Sequence, residues 1–163
     1  MLKFNKGDEF MIIEIPKIEE WKEVNKIAKQ VHEMHVAWRP DIFVSVEDVI
    51  EKERYEMLIQ NENIYIIKED KNIIGYATIE RKEREVHGMH YRKIISIEAI
   101  AIDEKYRGKG YGTELINYII DLGKKENYTD LYLTVNEENE NAIQLYEKIG
   151  LKVKNIAYSM KIH

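Results

Sequence analysis

RGKGYG at residues 107–112 is the stretch of this sequence that decides its fold. It follows an apolar run, Ile94–Ile102, that is typical of a buried strand, and it precedes an amphipathic run, Thr113–Lys125, that has helical spacing. Closely spaced glycines let several backbone N–H groups converge on one position, and the start of the following helix adds its unpaired N–H groups and positive dipole. The order strand, glycine turn, helix therefore predicts a binding site for a phosphate group, with pyrophosphate as its natural ligand.

Two better-known glycine motifs do not fit this turn. A dinucleotide fingerprint needs glycines at the first, third and sixth places, but the sixth place is Thr113 when counted from Gly108 and Leu115 when counted from Gly110. The loop of nucleotide hydrolases needs Gly-Lys followed by Ser or Thr, which this sequence does not contain. A plain helix-capping turn would explain Gly108 or Gly110 singly, but it does not explain the three glycines together.

The spacing Arg-x-x-Gly-x-Gly, given by Arg107, Gly110 and Gly112, resembles the coenzyme loop of the GNAT superfamily of N-acetyltransferases. A second stretch, Asn139–Leu151, resembles the other signature of that family. There an asparagine opens a helix, a tyrosine follows at Tyr146, and a glycine followed by an apolar residue ends the helix. The likeness runs from about Ile94 to the C-terminus and is to the bacterial branch of the superfamily.

This resemblance implies the acyl-CoA N-acyltransferase (GNAT) fold, an α/β (α+β) arrangement. Its twisted, mixed and mostly antiparallel sheet carries helices on both faces and has two splayed central strands. The resemblance also implies acetyl-CoA as cosubstrate and no metal. By matching position, the implied coenzyme contacts are the main chain of Ile100 and Ile102, the turn residues Arg107, Gly108, Lys109, Gly110, Tyr111, Gly112 and Thr113, and then Asn139 and Tyr146.

Hydrophobic periodicity predicts the other elements, which we expect to form one domain over residues 1–163. Helices are predicted from Ile18 to Trp38, from Val46 to about Gln60 with a capping box at Ser45 and Asp48, and along the stripe Ala142, Leu145, Tyr146 and Ile149. Strands are predicted at Met11–Ile15, Ile64–Lys68, Ile73–Glu80, Tyr91–Ile102, Asp130–Val135 and Lys152–Ile162, with a hairpin turn at Asp70–Asn72.

Tyr146 is the candidate acid. Acetyl transfer to an amine requires that the amine lose a proton and that the departing thiolate be stabilised. The resemblance implies that Tyr146 lies near the thioester sulfur. The residue also fits the apolar stripe of its helix, and the surrounding Asn139–Gly150 pattern is what favours the catalytic role. Asn139 can serve both as a helix cap and as a coenzyme contact.

Glu98 is the candidate general base, because it is a carboxylate in an otherwise apolar strand and several family members place an acidic base there. A period of two puts it on the same face as Ser96, Ile100 and Ile102. If that face is the acceptor cleft, desolvation would suit Glu98 to proton abstraction through water. A solvent-facing or ion-paired glutamate is an equally open alternative. Some family members use a glutamate on the next strand instead, where this chain carries Thr134.

The end of the first long helix supplies candidate acceptor contacts. His35, followed by Arg39 and Asp41, resembles a recurring sequence of the bacterial branch, in a region that commonly lines the acceptor site. Simple helix termination, with Arg39 and Asp41 in solvent, would also explain the pattern. His32 and His35 are too close together for the His-Glu-x-x-His zinc motif. Glu80–Glu85 is typical of a solvated hairpin, although such hairpins can contact acceptors or a second subunit, which leaves a homodimer open.

Composition limits the possible functions further. A formal charge of −5 argues against nucleic acid as a partner and favours a cationic acceptor such as an amine. The absence of cysteine excludes an acetyl-cysteine intermediate, so transfer would be direct. The apolar runs are shorter than a membrane span or a signal peptide needs, and we therefore expect a cytoplasmic protein without membrane association.

Together these observations predict an acetyl-CoA-dependent N-acetyltransferase. The acceptor would be a primary amine of a small molecule, polyamine, amino acid or peptide. A non-catalytic acyl-CoA sensor or interaction module with the same fold is the alternative, because the role of Glu98 is open.

Overall fold

The structure, a computed structural model, describes residues 1–7, 9–160 and 162. Within these ranges six strands form one sheet, in which they follow one another in chain order. The strands are β1 (Leu2–Lys6), β2 (Glu9–Glu14), β3 (Ile64–Glu69), β4 (Asn72–Arg84), β5 (Arg92–Ile102) and β6 (Asp130–Leu133). The helices are α1 (Trp21–Trp38), α2 (Lys52–Gln60), α3 (Tyr111–Lys125) and α4 (Glu140–Ile149), and short 3₁₀ turns cover Ile18–Glu20 and Glu104–Tyr106. Neighbouring strands are antiparallel except β5 and β6, which are parallel.

Helices cover both faces of the sheet. On one face, Leu115, Ile116 and Ile119 of α3 are fully buried with the strands, and α4 packs beside them. On the other face, α1 and α2 bury Val24, Ala28 and Tyr55 against β3 and β4. Each buried aliphatic side chain contributes roughly 1.5–3 kcal/mol, so the sheet is fixed from both sides. Among the described helices, none is long and apolar enough to cross a bilayer.

The predicted fold class is confirmed, and so are several local signals. Helix α1 ends at Trp38 as predicted, and the β3–β4 hairpin turns through Asp70, whose φ of 54° is left-handed. Asn139 caps α4 by accepting the N–H of Ala142 at 3.3 Å, and Gly150 ends the helix with a φ of 100°. These signals act over a few residues, so they survive folding unchanged.

The predicted start of α2 is wrong. The helix begins at Lys52 and not at Val46, and the proposed capping box at Ser45 and Asp48 is absent. Buried Asn25 on α1 holds the main chain of Ile50 instead, with its Oδ1 accepting the Ile50 N–H at 2.8 Å and its Nδ2 donating to the Ile50 carbonyl at 2.7 Å. This clamp uses the backbone groups that a helix at residue 50 would need, so the helix starts after it.

The two ends of the chain also differ from the prediction. β1 was not predicted, although Leu2 and Phe4 alternate with polar residues, and it pairs with β2 over five residue pairs. The predicted strand Lys152–Ile162 is wrong, because residues 151–160 and 162 lie outside helices and strands and are mostly exposed. Lys161 lies outside the described residues. A strand needs a partner along its length, and β6, the neighbouring edge, is only four residues long.

Candidate active site

The glycine turn lies between β5 and the first turn of α3. Gly108 and Gly110 have φ values of 78° and 83°, a left-handed conformation that favours glycine. A Cβ on Gly112 would lie 3.3 Å from Leu145 Cδ2, so this glycine permits the close approach of α4. The first bond of α3 runs from the Glu114 N–H to the Gly110 carbonyl at 3.2 Å, and Gly110 offers no side chain to cap the helix. The amides that precede Glu114 therefore have no partner within the helix, as an anion site requires.

Two lysines flank the turn. Lys6, at the end of β1, has its Nζ 2.9 Å from the position that a Cβ on Gly110 would take, and it forms a 3.4 Å ion pair with Glu114. Lys109 lies with its Nζ 5.3 Å from the centre of the Tyr106 ring. The N-terminal strand therefore brings a positive charge to the turn from more than a hundred residues away in sequence. Sequence analysis missed Lys6 because only sheet pairing brings it there.

The predicted contacts Tyr111 and Arg107 point their side chains elsewhere. The Tyr111 ring is 2% exposed, and its hydroxyl lies 2.9 Å from Glu9 Oε2 and 2.6 Å from Glu69 Oε1, against β2 and β3. The Arg107 guanidinium donates from Nε to the Ile102 carbonyl at 3.0 Å and turns toward α1. These two residues could therefore bind a phosphate at the turn through their main-chain N–H groups, as the glycines could.

β5 and β6 separate next to this turn. The two strands pair only from Ile94 to Ile97 on β5, and β6 ends at Leu133, whereas β5 continues to Ile102. On its other side β5 stays paired with β4 up to Ile102. Beyond Ile97, no described strand covers the β6 side of β5, so main-chain groups near Ile100 and Ile102 face a gap. Such a gap is where an extended ligand can form strand-like hydrogen bonds.

A β-bulge at Glu98 overturns the predicted alternation of β5. Thr78 pairs with Ala99 and Ile79 pairs with Ile97, so Glu98 is an extra residue without an opposite partner. Beyond the bulge the alternation reverses: Ile100 and Ile102 pack on the α3 face with Ile97, and Ala99 packs on the α1 face. The prediction that Ile97 and Ala99 share one face, with Ile100 and Ile102 on the other, is therefore wrong. The Glu98 side chain is exposed, whereas the prediction required it to be desolvated in the cleft.

A cavity of about 120 Å³ lies where β5 and β6 part. It brings together residues that the sequence singled out separately: Glu98, Ile100, Thr134, Asn139, Tyr146 and His35. The same wall contains Val31, Tyr76 and Asn136, which sequence analysis missed because each belongs to an element whose pattern reports only packing or a turn. Burial raises the pKa of the Tyr146 hydroxyl, so the phenol stays protonated at neutral pH.

The end of α1 forms an aromatic cluster beside this cavity. The His35 ring lies 5.3 Å from Phe43 and 5.6 Å from Trp38, measured between ring centres. Burial, with a smaller contribution from nearby His32, lowers the pKa of His35, so its imidazole is neutral at pH 7. Arg39 and Asp41 form a two-pronged ion pair at 2.9 and 2.8 Å. Of the three predicted acceptor contacts, His35 is the one that lines the cavity.

Lys82 and Glu80 lie on β4, the strand that pairs with β5. Their side chains form an ion pair at 2.6 Å, and both are about half exposed. The hydrogen bond that the Lys82 ammonium donates to the Glu80 carboxylate raises the pKa of Lys82, and the charge of Glu98 adds to the effect. Glu98 therefore lies within electrostatic reach of a cation on the neighbouring strand.

Comparisons with known proteins find related sequences and similar folds. The sequence model of the Acetyltransferase (GNAT) family matches residues 27–151. The chain is similar to spermidine N(1)-acetyltransferase of Escherichia coli, at 30% identity over 115 residues that cover 70% of this chain and 56% of that protein. The matches to the first three curated relatives span 31% to 56% of the length of those proteins.

Solved structures share the fold. A tetramutant of the BH1408 protein from Bacillus halodurans superposes with a TM-score of 0.86 at 28% identity, covering 93% of this chain and 99% of that chain. An aminoglycoside N-acetyltransferase in complex with CoA superposes with a TM-score of 0.70 at 15% identity, covering 98% of this chain and 100% of the other. At that identity, the second likeness is one of fold.

Proposed function

Because the chain belongs to the Acetyltransferase (GNAT) family, we propose that it transfers the acetyl group of acetyl-CoA directly to a primary amine. The observation that carries this proposal is the cavity between β5 and β6, which has Glu98, Ile100 and Tyr146 in its wall. The proposal covers residues 1–163 as one catalytic domain.

The residues of the turn fit a diphosphate. Two left-handed glycines and the uncapped start of α3 orient main-chain N–H groups, and Lys6 and Lys109 add positive charge. The free side of β5 at Ile100 and Ile102 would hydrogen-bond the pantetheine arm, and Asn139 would contact it while capping α4. Acetyl-CoA supplies an acetyl group already activated as a thioester.

In the proposed reaction, Glu98 and Tyr146 each transfer a proton. Glu98, exposed in the cleft wall, accepts a proton from the acceptor ammonium through water, and the amine nitrogen then forms a bond to the acetyl carbon. As the carbon–sulfur bond breaks, Tyr146 gives its hydroxyl proton to the sulfur. Its raised pKa keeps that proton in place at neutral pH until the thiolate develops. The nitrogen, which keeps one proton in the amide product, releases its other proton through water to the Tyr146 phenoxide, and this restores the phenol.

The net charge of the chain and the names of its relatives support an amine as the acceptor. Curated relatives carry the names spermidine N(1)-acetyltransferase and ribosomal protein bS18 alanine N-acetyltransferase, so the acceptors named there are amines. The formal charge of −5 on this chain would also favour a cation. We therefore propose a cationic small-molecule or peptide amine as the acceptor, held near neutral His35.

Turnover with an amine library tests the proposal. Wild-type protein should consume acetyl-CoA with at least one amine, and Glu98→Gln and Tyr146→Phe should each lower kcat by about 10²-fold or more. Calorimetry should give a CoA Kd that changes less than about twofold in both variants, because neither removes a phosphate contact. Glu53→Gln and Tyr158→Phe alter exposed residues of the same types and should leave kcat unchanged.

Two results would contradict the proposal. Tight CoA binding without turnover of any amine would identify the acyl-CoA sensor instead. Turnover that is insensitive to both substitutions would remove Glu98 and Tyr146 from the mechanism.

A further inference from the structure

Gln30, in the middle of α1, uses both ends of its amide to hold the segment that leads into the glycine turn. Its Nε2 donates to Asp103 Oδ2 at 3.1 Å, and its Oε1 accepts the main-chain N–H of Glu104 at 2.9 Å. Asp103 in turn caps the 3₁₀ turn by accepting the Lys105 N–H on Oδ1 at 3.0 Å. Gln30 therefore fixes the 3₁₀ turn that ends one residue before Arg107.

Arg107 completes the link between α1 and the turn. Its Nη2 lies 3.4 Å from Gln30 Oε1, and its Nη1 lies 3.8 Å from the sulfur of Met34, one helical turn further along α1. Its Nε donates to the Ile102 carbonyl at the end of β5. The guanidinium thus links α1 and the end of β5 to the turn, and it directs three of its five N–H donors at these partners and not at a phosphate ligand.

The same helix forms part of the cavity wall. Val31 and His35 follow Gln30 and Met34 by one residue each, and both line the cavity between β5 and β6. In a helix, residues four apart share a face, so Gln30 and Met34 form one stripe and Val31 and His35 the neighbouring one. One stripe of α1 therefore touches the turn and the next touches the acceptor side.

We infer that Gln30 is a positioning residue for the coenzyme, which holds the glycine turn in its binding geometry through Asp103, Glu104 and Arg107. This inference rests on the proposed function, since it takes CoA as the ligand of the turn. In this inference Arg107, the arginine of the Arg-x-x-Gly-x-Gly motif, supports the turn, and main-chain amides contact the phosphates. Misplacing such amides by a fraction of an ångström weakens binding while the fold persists.

Two substitutions test the role of the amide. Gln30→Leu removes both hydrogen-bonding ends at similar length, and we expect the CoA Kd and the KM for acetyl-CoA to rise about tenfold. The KM for the amine and kcat should stay within about twofold, and the melting temperature should remain close to that of the wild type. Gln60→Leu, at an exposed glutamine that ends α2, is the matched control and should change none of these values.

A reciprocal exchange separates positioning from general damage. Gln30→Glu alone places a carboxylate beside Asp103 and should weaken CoA binding at least as much as Gln30→Leu does. Adding Asp103→Asn reverses the donor and the acceptor, since the new amide can donate its N–H to the new carboxylate while its carbonyl still accepts the Lys105 N–H. The double variant should return the CoA Kd to within about threefold of the wild-type value.

The outcomes distinguish this inference from the proposed function. Wild-type protein that binds CoA together with an unchanged Kd in Gln30→Leu would overturn the inference alone. A loss that appears equally in the amine KM, or that the double variant does not rescue, would also overturn it. Wild-type protein that gives no heat with CoA would overturn the proposed function and this inference with it.

Discussion

The glycine turn is built from residues that are neighbours in the sequence, whereas the acceptor side of the cavity is built from four separate segments. Residues 107–112 follow one strand and open one helix, so a short motif describes them. The acceptor side combines His35 of α1, Tyr76 of β4, Glu98 of β5 and Thr134 after β6. The comparison teaches that the main-chain conformation of the turn is encoded locally, while the proposed acceptor side depends on how the sheet assembles.

The largest expected effect is at the glycine turn, whose residues are neighbours in the sequence. Gly110→Asp should raise the CoA Kd at least about 100-fold, because a carboxylate would compete with the diphosphate for the amides of α3. The new Cβ would also lie 2.9 Å from Lys6 Nζ, and the φ of 83° is unfavourable for a side chain. Calorimetry with CoA measures the effect.

Gly88→Asp provides the matched control for Gly110→Asp. Gly88 has a similar φ of 80°, but a Cβ there would meet no atom within 4 Å, and its loop joins β4 to β5 away from the turn. The backbone strain is therefore nearly the same in the two variants. Equal CoA affinity in both would show that the turn does not bind the coenzyme and would remove the contrast between the two regions.

A smaller effect is expected for the contact between Asn25 and Ile50, which are distant in sequence. Asn25→Ala removes the two hydrogen bonds between Asn25 and Ile50 and should lower the free energy of unfolding by about 2–3 kcal/mol, because the buried Ile50 N–H is left without a partner. The Ile50 carbonyl still accepts the Trp21 indole N–H at 2.8 Å. Urea unfolding gives this value. The CoA Kd of the folded protein should change less than about twofold, since the clamp lies on the α1–α2 face.

Asn61→Ala is the control for Asn25→Ala. Asn61 is exposed, and its side chain donates one hydrogen bond to the Met57 carbonyl at 2.8 Å. It should cost less than about 1 kcal/mol. Equal losses in the two variants would mean that the buried clamp contributes no more to stability than an exposed hydrogen bond does.

The smallest effect concerns pH. Burial, and to a smaller extent His32, lowers the pKa of His35, so the unfolded chain binds a proton at a higher pH than the folded protein does. The resulting stability is complete above the unfolded pKa of about 6.5 and is lost as the pH falls through the lower folded value. His35→Gln should therefore reduce the loss of stability between pH 8 and pH 5 in urea unfolding, and exposed His87→Gln should not. A wild-type loss that His35→Gln leaves unchanged would assign the acid sensitivity to other groups.

Local signals account for most of the predicted elements that are confirmed. Asn139, Gly150 and the Asp70 turn act through backbone conformation and caps within a few residues, so the sequence is enough to find them. The predicted start of α2 and the predicted strand at Lys152–Ile162 are wrong because contacts with distant residues decide these two segments. A capping box or an alternating pattern describes what a segment could form, and a distant clamp or a missing partner strand then decides.

The sequence by itself determined the order strand, glycine turn, helix and the two family signatures, because left-handed glycines, caps and apolar periodicity depend on neighbours in the chain. The tertiary structure alone decided that Glu98 lies on a bulge, that Lys6 reaches Gly110, and that Arg107 is held by Gln30. These features join residues that are not neighbours along the chain, and their contacts gain free energy only after the sheet has formed. No local pattern can therefore encode them.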